Sequence, residues 1–102
     1  MIREYTARRR LVLDRLSHMG LDTVEPAGAF YVFPSISRFG LGSTEFCTRL
    51  LLEGGVAVTP GAAFGADDHI RISYCCGEED IRLGLDRLEG FLRKLEEENH
   101  GN

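Results

Sequence analysis

The sequence predicts an α+β fold: a small, mostly antiparallel sheet of about four strands with helices packed on one face, in the order α-β-β-α-β-β-α. Three observations carry this. Segments at the two ends of the chain repeat apolar residues at helical spacing. Four short β-branched, aromatic or alternating runs lie between them, in two pairs around a shorter helical stretch. Connections such as Pro26-Ala27-Gly28 are too short for a crossover helix and favour antiparallel neighbours.

The first helix spans residues 2–19. Tyr5, Val12, Leu16 and Met19 form its apolar stripe, and Gly20 supplies the left-handed residue that stops it. Leu21 to Glu25 reads as a strand, followed by the 26–28 turn. Ala29 to Phe33 (AFYVF) is the second strand, ended by Pro34. Residues 35–42 form a loop. Ser43 then reads as an N-cap, with Glu45 in the positive first turn of a helix that carries Phe46, Cys47, Leu50 and Leu51 to about Glu53.

Gly54-Gly55 stops that helix. Val56 to Thr59 is a strand, Pro60-Gly61 a turn, and 61–68 a loop. From His69 to Tyr74 the chain alternates cleanly. Ile70, Ile72 and Tyr74 face one side, and His69, Arg71 and Ser73 the other. Gly77 caps the last helix, whose buried face is Ile81, Leu85, Leu88, Leu92 and Leu95. The tail EEENHGN has no apolar anchor and is expected to fray, which divides the chain into a domain over 1–95 and a tail over 96–102.

Composition bounds the function. The chain has 102 residues, 43% of them hydrophobic and 27% charged, which is ordinary for one globular domain. No window approaches the roughly 18 uninterrupted apolar residues of a membrane helix. The net charge of −4 argues against nucleic acid, and the Arg3, Arg8, Arg9, Arg10, Arg15 cluster reads as a solvated helix face interleaved with Glu4 and Asp14. Three cysteines, two of them adjacent, make a poor disulfide framework and point to reduced thiols in a cytoplasmic protein, with Cys75 and Cys76 as packing residues. No zinc spacing, phosphate-cradling glycine loop or nucleophile elbow occurs, so no complete active site and no metal site is expected in these residues.

Two features still call for explanation. The segment GGVAVTPGAAFG (54–65) holds four glycines and a proline in 12 residues. It fits either a helix stop plus a turn, or a loop whose backbone lies close to a ligand or another domain. Arg71 sits mid-strand on the polar side. It fits either a wet-face surface arginine or a rigidly held guanidinium that makes two parallel hydrogen bonds to a carboxylate.

GAFYVFPSI (28–36), GVAVTPGAAFG (55–65) and HIRISYC (69–75), in this order and spacing, resemble the C-terminal small domain of class I/II pyridoxal-phosphate-dependent aminotransferases. The leading EYTARRRLVLDRLSHMGL is similar to the stretch that precedes them there, and the resemblance covers residues 1–95. It is greatest to the bacterial aspartate, aromatic and diaminopimelate-type branch. It implies that Arg71 binds the substrate α-carboxylate, and that Phe30, Tyr31, Pro60 and Gly61 line or shape the substrate cleft.

The resemblance further implies a fragment of an enzyme that moves an amino group from an amino acid to a 2-oxo acid. The Schiff-base lysine and the phosphate-binding residues belong to that family's large domain. The chain's one lysine, Lys94, follows the R-I-S strand and cannot replace one that precedes the small domain. No catalytic or cofactor-binding residue and no bound pyridoxal phosphate are therefore expected in this chain. The large domain, the amino acid or 2-oxo acid and a second copy of the chain are the expected partners, with nucleic acid and membrane excluded. The alternative is a stand-alone, non-catalytic interaction or regulatory module with the same α+β fold.

Overall fold

The computed structural model describes residues 2–24, 30–74 and 77–100, with side chains over 6–24, 30–74 and 77–98. The 26–28 turn, Cys75, Cys76 and the side chains of Arg3, Glu4 and Tyr5 lie outside these described residues. The elements are α1 (Ile2–His18), β1 (Thr23–Val24), β2 (Tyr31–Pro34), α2 (Ser43–Arg49), β3 (Thr59–Pro60), β4 (Ile70–Ser73) and α3 (Glu78–His100). All pairings are antiparallel, in the order β1-β2-β4-β3. The expected α-β-β-α-β-β-α order is therefore the observed one.

Helix α1 ends as its sequence dictates. Gly20 takes φ +80°, its N–H donates to the Ser17 carbonyl, and the Leu21 N–H reaches back to the Leu16 carbonyl. Leu16 and Leu21, which this motif brings together, are both buried. On α3, Ile81, Leu85, Leu88, Leu92 and Leu95 are all buried, joined by Phe91. Val12 and Leu16 of α1 meet them in one core with Phe46 and Leu50 of the middle helix and Val32 and Ile70 of the sheet. Phe46 stands edge-on to Phe91 at 5.4 Å, and Phe39 lies 6.0 Å from Phe46.

Ion pairs tie the helices over this core. Arg15 bridges α1 to Asp86 and Glu89 of α3. Arg49 holds Glu53 and Glu98, and Lys94 also pairs with Glu53. These two cations hold the Glu53 carboxyl down at about 2. Helix α3 runs to His100, and its last turns carry Glu96, paired to Arg38, as well as Glu98. Burial pushes the Cys47 thiol up to about 11, so it packs as a neutral side chain.

Two local readings are corrected, the N-cap of α2 and the length of the third strand, while the helix stop at Gly54-Gly55 stands. The N-cap of α2 is Gly42, not Ser43, which is the first helical residue and makes no capping bond. Helix α2 continues into a π-helical turn, Leu50–Gly54, closed by Gly55 at φ +71°. The third strand is only Thr59–Pro60, and residues 56–58 form no ladder with β4. The Val56 N–H goes to the Leu50 carbonyl instead, and a groove of about 180 Å³ opens among Val12, Val56, Val58, Ile72, Ile81 and Leu85.

Candidate functional site

Strand alternation and register divide the sheet chemically. Val32 pairs with Ile72, and Tyr31 with Ser73. Val32, Pro34 and Ile70 are fully buried, and Ile72 packs on the same core. The opposite face presents Tyr31, Phe33, Arg71 and Ser73. Arg71 lies opposite Thr59 of the edge strand β3, so it stands on a strand hydrogen-bonded on both sides.

The guanidinium is framed by rings. Its Cζ is 5.0 Å from the Tyr31 ring centre and 4.9 Å from that of Phe64. Phe33 completes the frame, edge-on to Tyr31 at 5.5 Å and to Phe64 at 5.8 Å. One Arg71 Nη donates to the Thr59 hydroxyl at 3.4 Å, a long contact. No carboxylate among the described residues pairs with Arg71, although most other described arginines of the fold have such a partner. A half-buried cation with aromatic walls and no internal counter-ion is suited to a planar anion from outside.

The other sequence-predicted residues fall in different places. Tyr31 is a wall of this frame. Phe30 is half exposed, and its ring stands edge-on to Tyr74 at 6.4 Å, at the end of the strand. Pro60 is half-buried in β3, an edge position where its missing N–H costs no ladder bond. Gly61 closes the loop that follows. Its N–H donates to the His69 carbonyl, and its own carbonyl accepts from Ala66. A Cβ there would lie 2.0 Å from the Ala66 oxygen and 2.3 Å from the His69 oxygen. The close approach that this glycine permits is to the chain's own backbone.

Residues that sequence reasoning missed complete the site. Phe64, Phe33 and Thr59 frame Arg71, and only Thr59 could have been found by aligning β3 against β4. Phe64 belongs to the Gly61–Phe64 turn, whose position depends on distant partners. Beside that loop, His69 Nδ1 meets Asp68 Oδ1 at 2.7 Å and holds the Asp68 carboxyl below its usual range. Among the described residues, no three His, Cys, Asp or Glu side chains converge as a metal site. No helix among the described residues is long and apolar enough to cross a membrane.

Comparison with known proteins shows what the chain as a whole is similar to. The family model for aminotransferase class I and II matches residues 1–88. An aspartate aminotransferase of Pyrococcus abyssi is 49% identical over 96 residues, 92% of this chain and 25% of that protein. Aromatic-amino-acid aminotransferase 2 of Thermococcus litoralis is 47% identical over the same shares of the two chains. Among solved structures, an aromatic aminotransferase from Pyrococcus horikoshii superposes with a TM-score of 0.84 at 47% identity, over 91% of this chain and 26% of its own. An aspartate aminotransferase from Thermotoga maritima gives 0.84 at 39%, over 91% and 24%. The chain thus spans about a quarter of the length of the curated relatives it matches.

Proposed function

The chain belongs to the class I and II aminotransferases, and from that premise we propose that residues 1–95 are the small, substrate-facing domain of an enzyme that transfers an amino group from an amino acid to a 2-oxo acid. Arg71 takes the α-carboxylate in a bidentate pair. The observation that carries this reading is the Arg71 guanidinium itself, half-buried, walled by Tyr31 and Phe64 and without an internal carboxylate among the described residues.

What this chain contributes is binding and orientation. Tyr31 and Phe64 confine the guanidinium to the gap between their rings and leave its edge to the ligand. A carboxylate gripped there has its α-carbon held at a fixed place relative to the rigid strand. Closure of the domain over the rest of the enzyme draws on that same contact.

The family implies pyridoxal 5′-phosphate in the full-length enzymes. The residues of this chain do not fit that group. Its covalent capture needs an amine, and Lys94, the only lysine, stands on α3 in an ion pair with Glu53. Cofactor binding then falls to a larger partner domain, and the exposed Phe64 and Val24 suit a surface covered by it. The same reading makes the enzyme cytoplasmic and homo-oligomeric.

The test is a titration of the isotopically labelled full chain with sodium acetate against sodium chloride at equal ionic strength, read at the Arg71 Nε–H resonance. Acetate should move this signal more than any other arginine's. Saturation should come on the order of 100 mM, because a single solvent-exposed ion pair is weak. Arg71→Gln should abolish the selective response. Equal response to acetate and chloride would refute the assignment and favour a stand-alone, non-catalytic module.

A further inference from the structure

Ser43 is the only polar or charged residue fully buried among those described. Its hydroxyl donates to Asp67 Oδ1 at 2.9 Å and accepts the Ala62 N–H at 2.9 Å. Its own N–H reaches the Asp67 carbonyl at 2.9 Å and Oδ1 at 3.1 Å. Four hydrogen bonds thus join the start of α2 to both limbs of the 61–68 loop. The Ser43 hydroxyl is buried and fully paired, while Asp67 is itself exposed, so breaking their contact strands the desolvated hydroxyl and the four bonds favour one geometry.

Phe64 rides on that loop. It is 47% exposed, so burial in the core does not hold it. Its ring meets Phe33 and the Arg71 guanidinium. The loop backbone must therefore supply what packing does not, and the backbone is pinned at Ala62 and Asp67, on either side of Phe64.

We propose that Ser43 and Asp67 are positioning residues for substrate binding: they clasp the 61–68 loop so that Phe64 forms the second wall of the Arg71 site. This rests on the reading of Arg71 as the carboxylate ligand. The clasp acts through Phe64 alone, and neither Ser43 nor Asp67 touches the guanidinium. Asp67→Asn keeps the accepting Oδ1 and therefore keeps the clasp, whereas Asp67→Ala and Ser43→Ala open it.

The experiment follows the Arg71 Nε–H resonance of the full chain, first free and then titrated with acetate. Ring currents from Tyr31 and Phe64 should set the free resonance apart from those of solvated arginines. Ser43→Ala and Asp67→Ala should move it toward the solvated position and weaken acetate binding about threefold. Asp67→Asn should leave both readouts at wild-type values, which a requirement for the Asp67 charge would not. Phe64→Leu leaves the clasp intact and should reproduce the shift of Ser43→Ala, which keeps the proposal testable if the latter does not fold. An unchanged Arg71 resonance and acetate affinity in folded Ser43→Ala or Asp67→Ala would overturn the clasp while leaving the carboxylate reading intact. A free resonance that moves in these variants, with no acetate response in the wild type, would support the clasp and refute the carboxylate reading.

Discussion

The two faces of the sheet are built from alternate residues of the same strands, yet they are held in different ways. Val32, Pro34 and Ile70 have no solvent exposure, and α1, the middle helix and α3 cover them. One residue along, Tyr31, Phe33 and Arg71 are half-buried and hold one another through ring-edge and cation–ring contacts, with a loop residue as the far wall. The first face draws on burial of apolar surface, at about 25 cal/mol per Å². The second draws on contacts of about 0.5–1.5 kcal/mol each. Stability therefore resides on the helix side and recognition on the open side, and changes on one should leave the other largely intact.

The largest expected effect lies on the covered face. Phe46→Ala removes the ring that both Phe39 and Phe91 pack against. It should cost about 3–5 kcal/mol in denaturant unfolding. In whatever fraction stays folded, the Arg71 resonance should hold its wild-type position, and a large shift there would break the separation of the faces.

Gly61→Ala tests the seam between them. Its Cβ would collide with two carbonyl oxygens of the loop backbone. The loop must shift, at a cost of about 2–3 kcal/mol in a chemical melt. Because that loop carries Phe64, this change should disturb the Arg71 resonance as well, which Phe46→Ala should not.

The smallest effect belongs to the charged rim of the helix side. The Glu53 carboxyl lies at about 2 because Arg49 and Lys94 hydrogen-bond to its charged form. A carboxyl lowered on folding contributes stability that is complete above its ordinary value of 4.5 and is lost as pH falls through about 2. Glu53→Gln should flatten the acid limb of the stability profile between those values and leave the Arg71 site unmoved. An unaltered acid limb would show that the pair is fully screened.

Much of this was legible in the residues. The helical stripes of α1 and α3 and the alternation of Ile70, Ile72 and Tyr74 placed the covered face. Arg71 stood out because a charge at the centre of an alternating strand must point away from the core. Ser43 was misread because Ser before an apolar stripe with Glu two residues on is a local capping pattern, whereas its real partners, Ala62 and Asp67, are 19 and 24 residues away. The strand expected over 56–59 was shortened because β propensity says nothing about whether a partner is within reach. Residues 56–58 find the core and the Leu50 carbonyl instead of β4.

The sequence by itself determined the order of elements, the sides of the central strand and the candidate arginine, because periodicity and residue chemistry are properties of neighbours along the chain. Tertiary structure alone decided that Phe64 walls Arg71 and that Ser43 anchors the loop bearing it. Those contacts join segments whose approach is set by the packing of α2 and the sheet, and no local pattern encodes the distance between them.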